Sequence, residues 1–261
     1  MSTGESGAAS ATRSATTPLR YWICSTQRSG STLLCDLLTQ SGVHGQPEEF
    51  LDIRKQVFRS LYEEAGGSRA QYLQWLFEHR SSPNGAFGLK LHWNQGVAFV
   101  RGARADAMAH ARMGTGLRAV RSLARDFGDL RYVWVKRRDR VGQAVSLYRA
   151  RNTNQWVRPD GDPNARRPDP PFDADEIDRA LRWLTRVDAG WERYFGRVGT
   201  TPFVVHYEDL AADQARVLGA LGEHLGVPLP PSIAPRLERQ RDEWSTETRE
   251  RFIAARGQGG A

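Results

Sequence analysis

Lysine is nearly missing from this 261-residue chain: of its 37 basic residues, all but Lys55, Lys90 and Lys136 are arginine. Cysteine is scarcer still. Cys24 and Cys35 are the only two, on an expected strand and the helix after it, and two thiols in apolar surroundings exclude a disulfide framework. No segment approaches the ~18 consecutive apolar residues of a membrane span. A basic start running into an apolar core is lacking too, so no signal peptide is expected and the expected location is cytoplasmic. Six histidines without metal-ligand spacing give no reason to expect a metal site.

What is present is ordinary globular material. Charged residues make up 26% and hydrophobic residues 39%, which excludes collagenous, coiled-coil and wholly disordered chains. A chain this long buries roughly 70–75% of its extended surface, enough for a real core. The formal charge is +7. An arginine excess can follow genome composition, but guanidinium forks also suit phosphate and sulfate groups. Local clustering has to separate the two readings.

Residues Met1–Pro18 are mostly Ser, Thr, Ala and Gly and are expected to form a disordered tail, followed by one domain over residues 19–255. Leu19–Ser25 reads as a buried strand, and Ser31–Gln40 as a helix with Leu33, Leu34, Leu37 and Leu38 on one face. Helices are expected over Arg54–Glu64, Arg69–Arg80, Leu117–Phe127, Asp139–Asn152, Glu176–Phe195, Ala212–Leu225 and, in charged form, Arg236–Phe252. Further strands are expected at Ala86–Leu91, Arg131–Arg137 and Phe203–Tyr207. In the helix after Asp139, Val141, Ala144, Val145 and Tyr148 form the core face and leave Gln143 and Ser146 on the other. Strands alternating with helices imply an α/β fold of three layers, α/β/α, around a mostly parallel sheet.

The strongest local signal is Thr26-Gln27-Arg28-Ser29-Gly30-Ser31-Thr32, between a strand and a helix. Such a loop aims backbone N–H groups and a helix dipole at an anion. The structural alternative is a Ser/Thr helix cap after a turn. The loop has no Walker lysine, which argues against an ordinary ATP or GTP hydrolase. Gln46-Pro47-Glu48-Glu49-Phe50 comes next, and a carboxylate there within ~3 Å of a hydroxyl is a candidate base. If both carboxylates are buried they repel, so one is expected to pair with an arginine. Arg137 ends a strand at the carboxyl edge of the sheet, where α/β proteins bind ligands, and Arg138 beside it is the competing assignment. His92, just past a strand end in Lys90-Leu91-His92-Trp93-Asn94, reads as a structural histidine with a rival claim as base. Asn154, Gln155 and Trp156 open a long loop that suits acceptor recognition, an aromatic face and amides being the usual mix in a small-ligand pocket.

QRSGSTLLCDLL and GVHGQPEEF, then LKLHWNQ, VKRRDRVGQAVSLYRA with TNQW, and LERQRDEW, resemble in order the Stf0-type sulfotransferases of bacteria, over roughly Tyr21 to Phe252. The resemblance implies a P-loop-like fold and 3′-phosphoadenosine 5′-phosphosulfate (PAPS) as sulfuryl donor, without a metal. On that pattern Gln27, Arg28, Ser29, Gly30, Ser31 and Thr32 cradle the 5′-phosphosulfate, Arg137 and Ser146 hold the 3′-phosphate, and Arg239 reaches the nucleotide. Glu49 matches the family's base, with Arg28 stabilising the leaving phosphate. Glu48, His92, Trp93, Asn94 and Trp156 are then expected around the acceptor, a sugar or glycosylated small metabolite. His92 stands where the pattern usually has an apolar residue. A homodimer is the family precedent. The other readings are a P-loop kinase, which lacks its loop lysine here, and a basic nucleic-acid-binding protein, whose basic face the scattered arginines do not make.

Overall fold

A computed structural model describes residues 17–101, 113–156, 167–230, 233 and 242–258. Strand β1 (Arg20–Ser25) leads into α1 (Ser31–Gln40), α2 (Gln56–Glu64) and α3 (Arg69–His79). Strand β2 (Phe87–His92) runs straight into α4 (Trp93–Arg101), followed by α5 (Met113–Arg125). Strand β3 (Leu130–Lys136) precedes α6 (Arg140–Thr153) and the 25-residue α7 (Ala174–Val198). Strand β4 (Phe203–His206), α8 (Tyr207–Ala212), α9 (Gln214–Leu225) and α10 (Glu243–Gln258) complete the described chain.

All four strands are parallel, in the order β2-β1-β3-β4. The central strand is buried on both faces, which is why it reads as an unbroken apolar run. Trp22 and Cys24 enter one core with Leu73, Val120 and Trp191, while Tyr21 and Ile23 enter another with Leu34, Val205 and Leu221. A core on each face of the sheet makes the three layers. A third cluster packs Val145, Tyr148 and Leu184 with Phe252 of α10.

The register sets Ser25 beside both His92 and Val135, and Lys136 beside His206. Four strand ends therefore share one edge. Two helices there were not anticipated from the sequence. Helix α4 starts at Trp93 directly after β2, although WNQGVAFVR carries a mid-helix glycine and no Ser, Thr or Asp cap. Its first turn is secured by Gln95, whose side chain accepts the backbone N–H of His92 at 3.0 Å, half of a capping box. Trp93 is held by tertiary packing, edge-on to Trp191 at 5.2 Å and over Gly190, where a Cβ would lie 2.9 Å from the indole. The second is the six-residue α8.

Candidate active site

A cleft of about 1000 Å³ opens along this edge. One half starts at the turn after β1. Arg28 is left-handed at φ 61° and Gly30 at φ 91°, so the chain doubles back and starts α1 with Gly30 as N-cap and no side-chain cap. The Ser/Thr cap reading is thereby displaced: the first-turn N–H groups of α1 are not taken by a capping side chain, as an anion site requires. Gly30 has a second reason to be glycine, because a Cβ there would strike the ring of Tyr207. Gln27, Arg28, Gly30, Ser31 and Thr32 line the cleft. Ser29 does not; it is fully buried behind the turn. Ser29 Oγ and Gln27 Oε1 are both buried with no hydrogen-bond partner among the described residues.

Arg28, Arg137 and Ser146 come together. Arg28 Nε donates to Ser146 Oγ at 2.9 Å, its Nη1 donates to the Trp156 carbonyl, and Arg137 lies over the Tyr207 ring at 5.2 Å. Burial, then the guanidiniums of Arg137 and Arg149, lower the Arg28 pKa to about 10. A pocket that crowds cations at the cost of their own ionisation favours a polyanion. Arg138 is not part of it: its guanidinium forks onto Asp209 at 2.6 and 2.7 Å on the outside. Of the two adjacent arginines only Arg137 lines the cleft.

The other half centres on Glu49. Residue 48 forms a one-residue parallel bridge with Leu89 at the β2 edge, and side chains alternate across such a bridge. Glu48 is accordingly exposed, and Glu49 is turned inward. Glu49 Oε1 lies 2.8 Å from Lys90 Nζ and 3.4 Å from His92 Nε2; Oε2 lies 2.8 Å from Lys55 Nζ and accepts from Gln95 Nε2 at 2.8 Å. Burial pushes this carboxyl's pKa up, but Lys90, His92 and Lys55 outweigh it and hold the group well below the usual carboxylate range. The arginine partner expected from the sequence is corrected here: lysines and a histidine do the pairing. Two of the chain's three lysines converge on this one carboxylate, and their rarity was a signal available in the sequence. His92 is buried, with Nδ1 3.1 Å from Ser25 Oγ and 3.2 Å from the Ser25 carbonyl.

Of the expected acceptor residues, Glu48, His92, Asn94 and Trp156 line the cleft. Trp93 is a correction: it packs into the core against Trp191 and Tyr194. Arg239 lies outside the described residues. Sequence reasoning missed Lys55, Gln95, Tyr207 and Arg249, all of which line the cleft. Arg249 had no signal, since it arrives from a distant helix, whereas Tyr207 ends the strand expected at Phe203–Tyr207 and so shared with Arg137 the signal of the carboxyl edge.

A family model described as Stf0 sulphotransferase matches residues 20–255. Trehalose 2-sulfotransferase of Mycolicibacterium smegmatis is 32% identical over 262 residues, covering 90% of this chain and 94% of the relative. That of Mycobacterium tuberculosis is 33% identical over 265 residues, with the same coverage. A sulfotransferase structure from Alicyclobacillus acidocaldarius is 16% identical with a TM-score of 0.48, covering 92% of this chain and 93% of that one. Among the described residues no helix is long and apolar enough to cross a membrane.

Proposed function

The chain belongs to the Stf0 sulphotransferase family, and from that premise we propose that it moves a sulfuryl group from PAPS to a hydroxyl of a carbohydrate or glycosylated small metabolite. The observation that carries this reading is the position of Lys90. Its Nζ donates to Thr32 Oγ1 in the first turn of α1 and pairs with Glu49 Oε1, at 2.8 Å in each case. One ammonium thus joins an anion-binding helix end to a carboxylate, the two groups that a transfer between an anion and an alcohol must bring together. The sugar class of the acceptor rests on the two relatives named for trehalose.

The residues present fit the donor. The uncapped start of α1, the orphaned Gln27 Oε1 nearby, and Arg28, Arg137 and Ser146 at the cleft would form the pocket for its two phosphate ends. PAPS supplies the sulfuryl group. Glu49 receives the acceptor's hydroxyl proton. Its depressed pKa makes it a weak base, and a weak base suffices when the hydroxyl becomes strongly acidic as its oxygen bonds to sulfur. Lys90 and Arg28 place positive charge where negative charge grows, where fixed charges are most effective.

Donor choice tests the reading. If Arg137 and Ser146 hold a 3′-phosphate, 3′,5′-ADP raises the melting temperature far more than 5′-AMP at equal concentration, in proportion to ln(1 + [L]/Kd). Equal shifts would overturn the assignment.

A further inference from the structure

The donor reading assigns Arg28 and Ser146 to the nucleotide but leaves out the residue that links their two elements. Gln143, on α6 one turn before Ser146, is fully buried and packs no apolar group in its place. Its Nε2 donates to Thr26 Oγ1 at 2.8 Å and to the Gln27 carbonyl at 2.7 Å, while its Oε1 accepts from Arg140 Nη1 at 2.8 Å. Arg140 Nη1 in turn pairs with Asp188 of α7 at 2.7 Å. The amide therefore has one workable orientation. Flipped, it would set its oxygen against the Gln27 carbonyl and its NH₂ against a guanidinium.

The Gln27 carbonyl belongs to the peptide plane just before Arg28. The φ of Arg28 is the torsion about its N–Cα bond, measured from that plane, so a bond holding the carbonyl fixes one side of φ. Arg28 is one of only two non-glycine residues with positive φ among the described residues. A non-glycine residue in that region costs on the order of 1 kcal/mol and persists only where its surroundings enforce it. Bonds reach both peptide planes that flank Arg28: Gln143 Nε2 donates to the Gln27 carbonyl at 2.7 Å, and Arg137 Nη1 to the Arg28 carbonyl at a longer 3.4 Å.

We propose that Gln143 is a positioning residue for the donor: by holding the Gln27 carbonyl it keeps Arg28 left-handed and sets the β1–α1 turn in register with Ser146. The proposal rests on the donor reading above. It explains why a polar amide occupies a fully buried helical position, where burial without partners would be costly. It also explains why Asp188 and Arg140, neither of which the transfer uses, are aligned behind the site. The chain from α7 through Arg140 and Gln143 to the turn anchors the phosphate loop to the body of the fold.

The experiment compares wild type with Gln143→Glu, which keeps the acceptor facing Arg140 but loses both donors and sets a carboxylate oxygen against the Gln27 carbonyl. Titration calorimetry with 3′,5′-ADP and with 5′-AMP, steady-state kinetics and thermal melts are run on each. The expected result is a rise of about tenfold or more in the 3′,5′-ADP Kd and donor KM. The preference for 3′,5′-ADP over 5′-AMP falls, because the two phosphate sites lose register, and acceptor KM stays within about twofold. Thr26→Val removes only the hydroxyl partner and should shift donor Kd less than about threefold. Wild-type nucleotide affinities in Gln143→Glu, or a loss confined to acceptor KM, would overturn the proposal. If Gln143→Glu does not fold, Gln143→Met makes the same comparison. A Gln143→Met protein that binds like wild type, or that also fails to fold, makes Gln143 a core residue only and equally overturns it. Failure of the wild type itself to bind 3′,5′-ADP would instead sink the donor reading.

Discussion

The proposed function makes Glu49 the proton acceptor, and its environment makes separable predictions. Glu49→Gln keeps the shape but removes the basic oxygen, so turnover should fall about 10²–10⁴-fold with the donor Kd little changed. Glu48→Gln, on the exposed side of the bridge, should stay within about threefold. His92→Ala, which deletes one of four partners of Glu49, should give a smaller loss than Glu49→Gln; complete loss in His92→Ala with near-normal Glu49→Gln would exchange the two roles. The pH dependence follows from sign. A carboxyl held below its unfolded pKa contributes stability that is full above the unfolded value, 4.5 here, and is lost as pH falls through the folded one. The stability gap between wild type and Glu49→Gln in denaturant melts should therefore be flat from pH 6 to 8 and close only in acid, below about pH 4.5. Activity should show no acidic limb from Glu49 above that range.

At the scale of elements, the site is a junction of helix starts. Helix α1 presents an uncapped N-terminus, α4 follows His92 without a loop, α6 is capped by Asp139, which accepts from the backbone N–H of Gly142 at 2.9 Å, and α8 brings Tyr207 over Gly30. The tightest of these contacts is at Gly30. Gly30→Ala adds both a left-handed strain and a collision with Tyr207, so about 1–3 kcal/mol of stability should be lost. The 3′,5′-ADP Kd should rise in parallel, because the turn cannot keep its path. A double variant with Tyr207→Ala should recover part of the stability by removing the collision, but not the strain; no recovery would mean that φ alone dictates glycine there.

For the whole molecule, the late part of the chain is tied back to the cleft through Arg149. Its guanidinium pairs with Asp169 and with Asp242 at 2.8 Å, and lies over Trp244 at 4.8 Å. This joins α6 to the segment before α7 and to the start of α10, whose Ser245, Thr246 and Arg249 line the cleft. Arg249 Nε reaches Asp139 at 3.1 Å, so α10 also touches the cap of α6. Side chains of the Arg149 cluster are 16–20% exposed. Arg149→Ala should accordingly cost on the order of 2–3 kcal/mol, short of the ~3–5 kcal/mol of a fully buried broken pair. Donor affinity should weaken as well. A melt unchanged from wild type would show that α10 is held by the Phe252 contact instead.

How much of this was legible in the sequence varies with the range of the interaction. The strand–turn–helix from Leu19 to Gln40, the parallel alternation and the turn at Gly30 could be read directly, because periodicity and local turn chemistry act over a few residues. The family likewise showed in ordered motifs from Gln27 to Trp244. Trp93 was assigned to the acceptor because it sits beside His92, yet strand register and Trp191 send it into the core. Helix α4 was missed because Gln95 and Trp191, not propensity, hold its start. Only the tertiary structure brought Lys90 to Glu49, Gln143 to the Gln27 carbonyl and Tyr207 to Gly30. Each of these contacts joins groups far apart along the chain or on different elements. Such pairs leave no periodic trace, since what selects them is the register of the sheet and the exclusion of one side chain by another.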